Sequence, residues 1–170
     1  MKSAGIKIAL TALIFYAFFG AVLSDQVYPK VSLSASDREA LNWVAENIPQ
    51  NSGFVILTGE TEPFADSVAE WFPVLAKSIS LSTIQGYEWM PNKLFLKKMN
   101  EYYELQTCIS RTYECVEEWG INTKQDFDYV LISQNGLIGS GNPLVVSLAE
   151  STVYQPVYQE GDVAIFKKKQ

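Results

Sequence analysis

The 170-residue sequence predicts an α/β protein: an N-terminal transmembrane helix, then a three-layer-like domain with a mainly parallel sheet and a C-terminal antiparallel hairpin. Three observations predict this class. A long uncharged run opens the chain, and short apolar runs then alternate with segments of helical periodicity. Finally, two apolar runs flank the turn Glu160-Gly161-Asp162. Alternating strands and helices favour parallel pairing with right-handed crossovers.

The N-terminal run from Ile8 to Ser24 contains no charged residue, and two lysines precede it while an aspartate follows. Its length lies at the short end of what crosses about 30 Å of hydrocarbon. The excess of positive charge before the run places the remainder of the chain outside the cytoplasm. We therefore expect residues 1–25 to form a transmembrane helix or signal anchor. Residues 26–170 would then be an extracytoplasmic α/β domain of a single-pass cell-membrane protein.

Two other interpretations of this run remain. A cleavable signal peptide, cut after Val22 and Ser24, would place the domain in the same compartment, but its apolar core is usually shorter. A buried core helix is disfavoured because the run is apolar on every face.

The first helix of the domain is predicted to begin at Ser36, which forms a capping-box pattern with Glu39, and to end at Pro49. Its apolar face consists of Leu41, Val44, Ala45 and Ile48. The following run Phe54–Leu57 is continuously apolar and predicts a strand that is covered on both faces.

The middle of the chain predicts three helices and a second strand. An internal proline limits or bends the first of these helices, and a glycine closes the last. The expected elements are a short helix at Asp66–Ala76 containing Pro73, a strand at Ile79–Ile84, a longer helix at Asn92–Thr107, and a helix at Thr112–Trp119 closed by Gly120.

The last third predicts a buried strand at Tyr129–Ile132 and a helix that starts at Asn142-Pro143, where asparagine is a cap and proline fits the first turn. The glycine-rich residues 136–141 before it match neither dinucleotide-binding nor P-loop spacing, which favours a surface loop. A hairpin of Val153–Tyr158 and Val163–Phe166 follows.

Cys108 and Cys115 are the only cysteines of the chain. On one continuous helix their Cα atoms would be about 10 Å apart, beyond the roughly 7 Å limit for a disulfide. A bridge therefore requires the helix to break, and Ser110, Arg111 and Thr112 offer such a break. Because two thiols so close in sequence oxidise outside the cytoplasm, we predict a Cys108–Cys115 disulfide that joins two helices at a corner.

Composition excludes several functions. The chain has no histidine, which removes Ser-His-Asp and Cys-His catalysis and the usual zinc sites. Its formal net charge is −6, and its lysines cluster only at residues 167–169, so a nucleic-acid partner is not expected. We predict no catalytic residue, no metal site and no cofactor.

Ligands of open α/β sheets gather beyond the carboxyl ends of the strands. Three loops, at residues 58–63, 82–91 and 134–141, would lie there and would present acids and amides that include Glu60 and Glu62. An aromatic ring that stacks on a sugar, next to carboxylates that accept its hydroxyl protons, is typical of carbohydrate recognition. The candidate ligand-binding residues are Glu70, Trp71, Gln85, Tyr87, Glu88 and Trp89.

These candidates have alternative roles. Glu70 and Glu88 would be a glycosidase pair if they flanked one cleft. Trp71 and Trp89 would otherwise be aromatic residues of the core or its rim.

Several sequence blocks carry a family resemblance: Glu70–Leu75 (EWFPVL), Thr83–Pro91 (TIQGYEWMP), Leu105–Cys108 together with Cys115, Phe127–Val130, and the opening Ala40–Pro49. With them the chain resembles the C-terminal extracytoplasmic domain of polytopic prokaryotic membrane proteins of the GT-C glycosyltransferase type. Such enzymes use sugars linked to polyprenyl phosphate. The resemblance covers nearly the whole chain, and the EWFP and QGYEW blocks are its distinctive parts.

The resemblance implies a non-catalytic role. In that class, catalysis is associated with an acidic residue in an early loop among many membrane helices, and no position here corresponds to it. The chain is therefore expected to be a domain, or a fragment, of a glycosyltransferase that contacts the glycan acceptor. Its expected partners are the membrane, a glycan or lipid-linked sugar, and other membrane subunits. A stand-alone membrane-anchored assembly protein and a carboxylate-dependent hydrolase are the alternatives.

Overall fold

The computed structural model describes residues 2–27, 32–91, 93–134 and 141–169, with side chains of the first helix described for residues 6–20. The chain divides into two compact units, Met1–Val31 and Ser32–Gln170. The division predicted from the sequence, 1–25 and 26–170, stays a prediction.

The first unit contains helix α1, Lys2–Val27. The prediction that it crosses a membrane is wrong: within the described ranges, no helix is both long enough and apolar enough to do so. The predicted single-pass localisation at the cell membrane depended on this helix and is wrong with it.

The second unit is one mixed five-stranded sheet with the strand order β2-β1-β3-β5-β4. Strands β1, β2 and β3 are parallel, whereas β5 is antiparallel to both of its neighbours. The elements, in chain order, are α2 (Ala35–Asn47), β1 (Gly53–Leu57), α3 (Ser67–Leu75), β2 (Ile79–Ser80), α4 (Leu94–Gln106), α5 (Tyr113–Thr123), β3 (Tyr129–Ser133), α6 (Pro143–Glu150), β4 (Tyr154–Glu160) and β5 (Val163–Lys168).

The terminal hairpin is confirmed, but the prediction of a mainly parallel sheet is wrong. The reason is that β2 has only two residues while β4 and β5 have seven and six. In addition, β5 pairs with β3 along the whole length of β3, from Tyr129↔Lys167 to Ser133↔Val163. The hairpin is therefore part of the core sheet, with β5 as an interior strand and β4 as an edge strand.

Two apolar clusters cover the two faces of the sheet and make the unit three-layered. Because successive strand residues point to opposite faces, β1 and β3 contribute to both clusters. Val55, Leu57, Val130 and Ile132 pack with residues of α4, α5 and α6. Phe54, Ile56, Tyr129 and Leu131 pack with residues of α2 and α3. The continuous apolar runs therefore mark the doubly covered strands correctly.

The start of α2 differs from the prediction by two residues. Its cap is Ser34 rather than Ser36, with Asp37 in the third helical position. The backbone N–H of Asp37 donates to Ser34 Oγ at 3.0 Å, and the N–H of Ser34 donates back to the Asp37 carboxylate at 2.9 Å. Two overlapping capping patterns occur in the sequence, and the earlier one is used.

The end of α5 also differs. The helix passes through Gly120 and ends at Thr123, with Lys124 in the left-handed conformation at φ 58°. Gly120 serves a close approach instead: a Cβ there would lie 2.9 Å from the Phe127 ring. The prediction that Gly120 closes the helix is therefore wrong, because this glycine permits close packing inside α5.

The disulfide is confirmed. Cys108 and Cys115 are bonded with a Cα–Cα distance of 5.5 Å. The helix breaks between them as predicted, because a short 3₁₀ turn, Thr107–Ser110, follows α4 and the extended residues Arg111 and Thr112 precede α5. The cap at Asn142 is confirmed as well, since its side chain accepts from the N–H groups of Leu144 and Val145.

Two predictions lie partly outside the described residues. These are the first residue of the helix expected at Asn92 and residues 136–140 of the glycine-rich run.

Candidate functional site

The carboxyl ends of β1 and β3 form the point at which the winding of the sheet changes direction. The chain leaves β1 for α3 on one face and leaves β3 for α6 on the other. In open α/β sheets, ligands bind in the crevice outside such a pair of strands. A cleft of about 420 Å³ lies here, which we call the switch-point cleft; its polar lining includes Asp37, Thr58, Glu60, Asp66, Ser67, Ser133 and Gln134.

Asp37 joins α2 to the end of β3 at this cleft. Its Oδ1 accepts from Ser133 Oγ at 2.5 Å, and its Oδ2 accepts from Ser34 Oγ at 2.7 Å. The carboxylate of a helix cap is thus shared with a residue 96 positions further along the chain. These bonds fix its orientation towards the cleft.

Asp66 is 3% exposed and caps α3. Its Oδ1 accepts from the N–H of Ala69 at 3.0 Å, and its Oδ2 accepts from Thr58 Oγ1 and from the Tyr102 hydroxyl, both at 2.8 Å. Burial raises the pKa of Asp66, although these three hydrogen bonds oppose the effect. Burial and the neighbouring Asp66 also raise the pKa of Tyr102, so its hydroxyl remains a donor.

Gln106 holds the loop that follows β1. Its Oε1 accepts from the N–H groups of Thr58 and Gly59, both at 2.9 Å, and its Nε2 donates to the carbonyl of Ile56 at 3.0 Å. This one buried amide therefore satisfies three backbone groups where the strand ends. The shape of the switch-point cleft depends on it.

A second cleft, of about 260 Å³, lies on the other part of α3 and is lined by Glu70, Trp71, Val74 and Gln85; we call it the tryptophan cleft. The Trp71 side chain is 47% exposed. The segment that carries Gln85 is held against α3 because Thr83 Oγ1 donates to the carbonyl of Ala69 at 2.5 Å. An aromatic surface with a carboxylate and an amide beside it is thus present.

The structure brings together three of the six predicted ligand-binding residues: Glu70, Trp71 and Gln85. Tyr87, Glu88 and Trp89 lie on a 3₁₀ turn after Gly86 and do not line the tryptophan cleft. Trp89 is 85% exposed, and the Lys98 ammonium lies 5.6 Å from the centre of the Tyr87 ring. Glu70 and Glu88 therefore do not face each other across this cleft.

The sequence interpretation missed Asp37, Asp66, Gln106 and Ser133. Asp66 carried a usable signal, because it is an acid at the expected start of a helix that directly follows the loop after a buried strand. The hydrogen bond between Asp37 and Ser133 had no such signal in the sequence, because it depends on the order of the strands in the sheet.

Within the described ranges, no group of three His, Cys, Asp or Glu side chains is placed so that it could hold a metal ion.

Comparison with known proteins shows a likeness in fold. No family model matches the sequence, and no curated protein matches it either. Among solved structures, the chain is similar to the C-terminal globular domain of an oligosaccharyltransferase from Archaeoglobus fulgidus. The TM-score is 0.51 at 12% identity, and the alignment covers 81% of this chain and 99% of that domain.

The chain resembles that domain in fold. At this identity the likeness concerns fold alone. It supports, at that level, the resemblance to C-terminal domains of glycosyltransferases that the sequence blocks indicated.

Proposed function

We propose that this chain is a non-catalytic, glycosyltransferase-associated domain that recognises carbohydrate, with Trp71 as the stacking surface for a sugar ring. The observation that carries the proposal is the tryptophan cleft, in which a half-exposed indole lies beside the Glu70 carboxylate and the Gln85 amide. Carboxylates accept hydrogen bonds from sugar hydroxyls, amides both donate and accept, and an indole covers the apolar face of a pyranose.

The fold likeness supports the association with glycosyl transfer, since the similar solved domain belongs to an oligosaccharyltransferase. The sequence supports a binding role rather than catalysis, because it has no histidine. In addition, the two carboxylates considered as a hydrolase pair do not line one cleft. The glycan acceptor of the associated enzyme is the proposed ligand.

The test is calorimetric titration of the full-length chain, purified without reductant, with chitotetraose, maltotetraose and mannotetraose. We expect saturable binding of at least one probe. A central aromatic side chain typically contributes a large share of the binding energy. Trp71→Ala should therefore weaken this binding at least about tenfold. Trp71→Phe, which keeps a ring, should recover part of it.

Trp89→Ala is the matched control because it removes an indole that is exposed but lies outside the cleft. It should bind like the unmodified chain. If Trp89→Ala abolished binding while Trp71→Ala did not, the site would lie on the turn at residues 87–89. If a folded chain bound none of the probes, the proposal would be wrong.

A further inference from the structure

One face of α3 borders both clefts. Ser67, Glu70, Trp71 and Val74 are spaced by three and four residues, so they lie along the same side of the helix. Ser67 lines the switch-point cleft, and the other three line the tryptophan cleft. From Ser67 to Val74 the helix rises about 10 Å, which is longer than one pyranose ring.

The chemistry of the switch-point cleft suits a neutral ligand with several hydroxyl groups. None of the described residues that line it is a lysine or an arginine, while Asp37, Glu60 and Asp66 are acids. A phosphate or carboxylate ligand would therefore meet like charge. Hydroxyl groups, in contrast, can donate to these carboxylates and accept from the Gln134 amide.

Two polar groups of the cleft have no hydrogen-bond partner among the described residues. Ser67 Oγ forms no hydrogen bond with the described residues, and Gln134 uses its Oε1 to accept from Asn142 at 3.0 Å while its Nε2 makes no such bond. The surrounding carboxylates are already oriented by Ser133, Thr58 and Tyr102. A cleft held in place before binding loses less entropy when a ligand enters.

We infer that the two clefts are subsites of one extended site, in which an oligosaccharide runs along α3. One sugar unit stacks on Trp71, and hydroxyl groups of a neighbouring unit bind in the switch-point cleft near Glu60, Ser67 and Gln134. This inference rests on the proposed function and deepens it, since it identifies the ligand as an oligosaccharide rather than a single sugar.

The test is a nitrogen-15 NMR titration of the full-length chain with the tetrasaccharide that binds best and with the corresponding monosaccharide. The indole N–H signal of Trp71 reports on one cleft, and the side-chain amide of Gln134 with the backbone N–H of Gly59 reports on the other. We expect the tetrasaccharide to shift the signals of both clefts. We expect the monosaccharide to shift those of the tryptophan cleft.

Two variants separate the subsites. Glu60→Gln removes the charge but keeps the oxygen that accepts from the N–H groups of Thr61 and Glu62, and Ser67→Leu fills the cleft. Each should weaken tetrasaccharide binding about five- to tenfold, the loss of one or two hydrogen bonds, and leave monosaccharide binding unchanged. Glu62→Gln, two residues away and outside the cleft, is the matched control.

The outcomes distinguish failure of the extended site from failure of the proposed function. Shifts at Trp71 alone, with unchanged affinity in Glu60→Gln and Ser67→Leu, would overturn the extended site and leave the proposed function standing. Shifts at Gln134 and Gly59 alone would overturn both the tryptophan subsite and the extended site. No shift with any tetrasaccharide would overturn both proposals.

Discussion

At the scale of single residues, Asp66 determines much of how the switch-point cleft is built. It is a buried acid whose carboxylate is shared by a helix cap, a threonine and a tyrosine. Replacing such a group changes both the charge balance and the geometry of the cleft. Its protonation should therefore be visible in the stability of the fold.

Asp66 gives a pH-dependent prediction. Because burial raises its pKa above the ordinary value of 3.8, the folded state holds this proton more tightly than the unfolded chain does. The stabilising contribution is therefore fully present below about pH 4 and is lost as the pH rises through the raised pKa. Asp66→Asn does not titrate, so urea unfolding from pH 4 to 7 should show a smaller fall in its stability with rising pH. Equal slopes for the two proteins would contradict this.

Gln106 gives a second prediction at the residue scale. Gln106→Leu keeps the side-chain volume but leaves two N–H groups and one carbonyl without their partner. We expect the free energy of unfolding to fall by about 2–4 kcal/mol, measured by urea denaturation. Gln155→Leu makes the same change at an exposed position of β4 and should stay within about 0.5 kcal/mol. A similarly small effect of the two substitutions would show that the loop after β1 keeps its conformation without the Gln106 amide.

At the scale of elements, α5 contains a glycine that is unfavourable for helix propensity but favourable for packing. Gly120 lies in the helix interior, where alanine would be favoured by about 1 kcal/mol. A Cβ would nevertheless come within 2.9 Å of the Phe127 ring and 3.2 Å of the carbonyl oxygen of Gln125. Packing and helix propensity therefore act in opposite directions.

We expect packing to win in Gly120→Ala, with a net loss of about 1–2 kcal/mol in thermal or urea unfolding, because the clash involves backbone as well as a ring. Asn122→Ala, at an exposed position of the same helix, should instead stabilise by a few tenths of a kcal/mol. Stabilisation by Gly120→Ala would mean that Phe127 moves aside at little cost.

The elements also show what the sequence can predict. The runs at β1 and β3 are apolar on both faces, so local composition is enough to identify them. The exact cap of α2 is not predictable in this way, because Ser34 and Ser36 both begin a serine–acid pattern and tertiary contacts choose between them. Ser34 is selected along with Asp37, which then reaches Ser133.

At the scale of the whole molecule, the order of the strands in the sheet could not be predicted from local sequence patterns. The hairpin was predicted, but not that β5 would lie between β3 and β4. The same limit applies to the candidate site. Trp71 and Gln85 could be proposed because both lie in distinctive local motifs, whereas the switch-point cleft is built from residues brought together only by the strand order.

The position of β5 gives a prediction for the whole fold. A chain that ends at Gly161 lacks the strand that pairs with both β3 and β4. We expect it to show no cooperative thermal transition by circular dichroism, because both apolar clusters lose strand residues at once. Gln159→Ala, at an exposed position of the edge strand, should unfold cooperatively like the unmodified chain. A cooperative transition in the shortened chain would show that the parallel strands fold independently of the hairpin.

The disulfide at the corner between α4 and α5 also affects how the chain withstands proteases. Arg111, an exposed residue, lies inside the ring that Cys108 and Cys115 close. Trypsin acting at this arginine would cut the backbone without separating the two sides, since the sulfur bond still joins them. A single nick at the corner would thus leave one covalent molecule, which falls into two fragments only when a reductant is added.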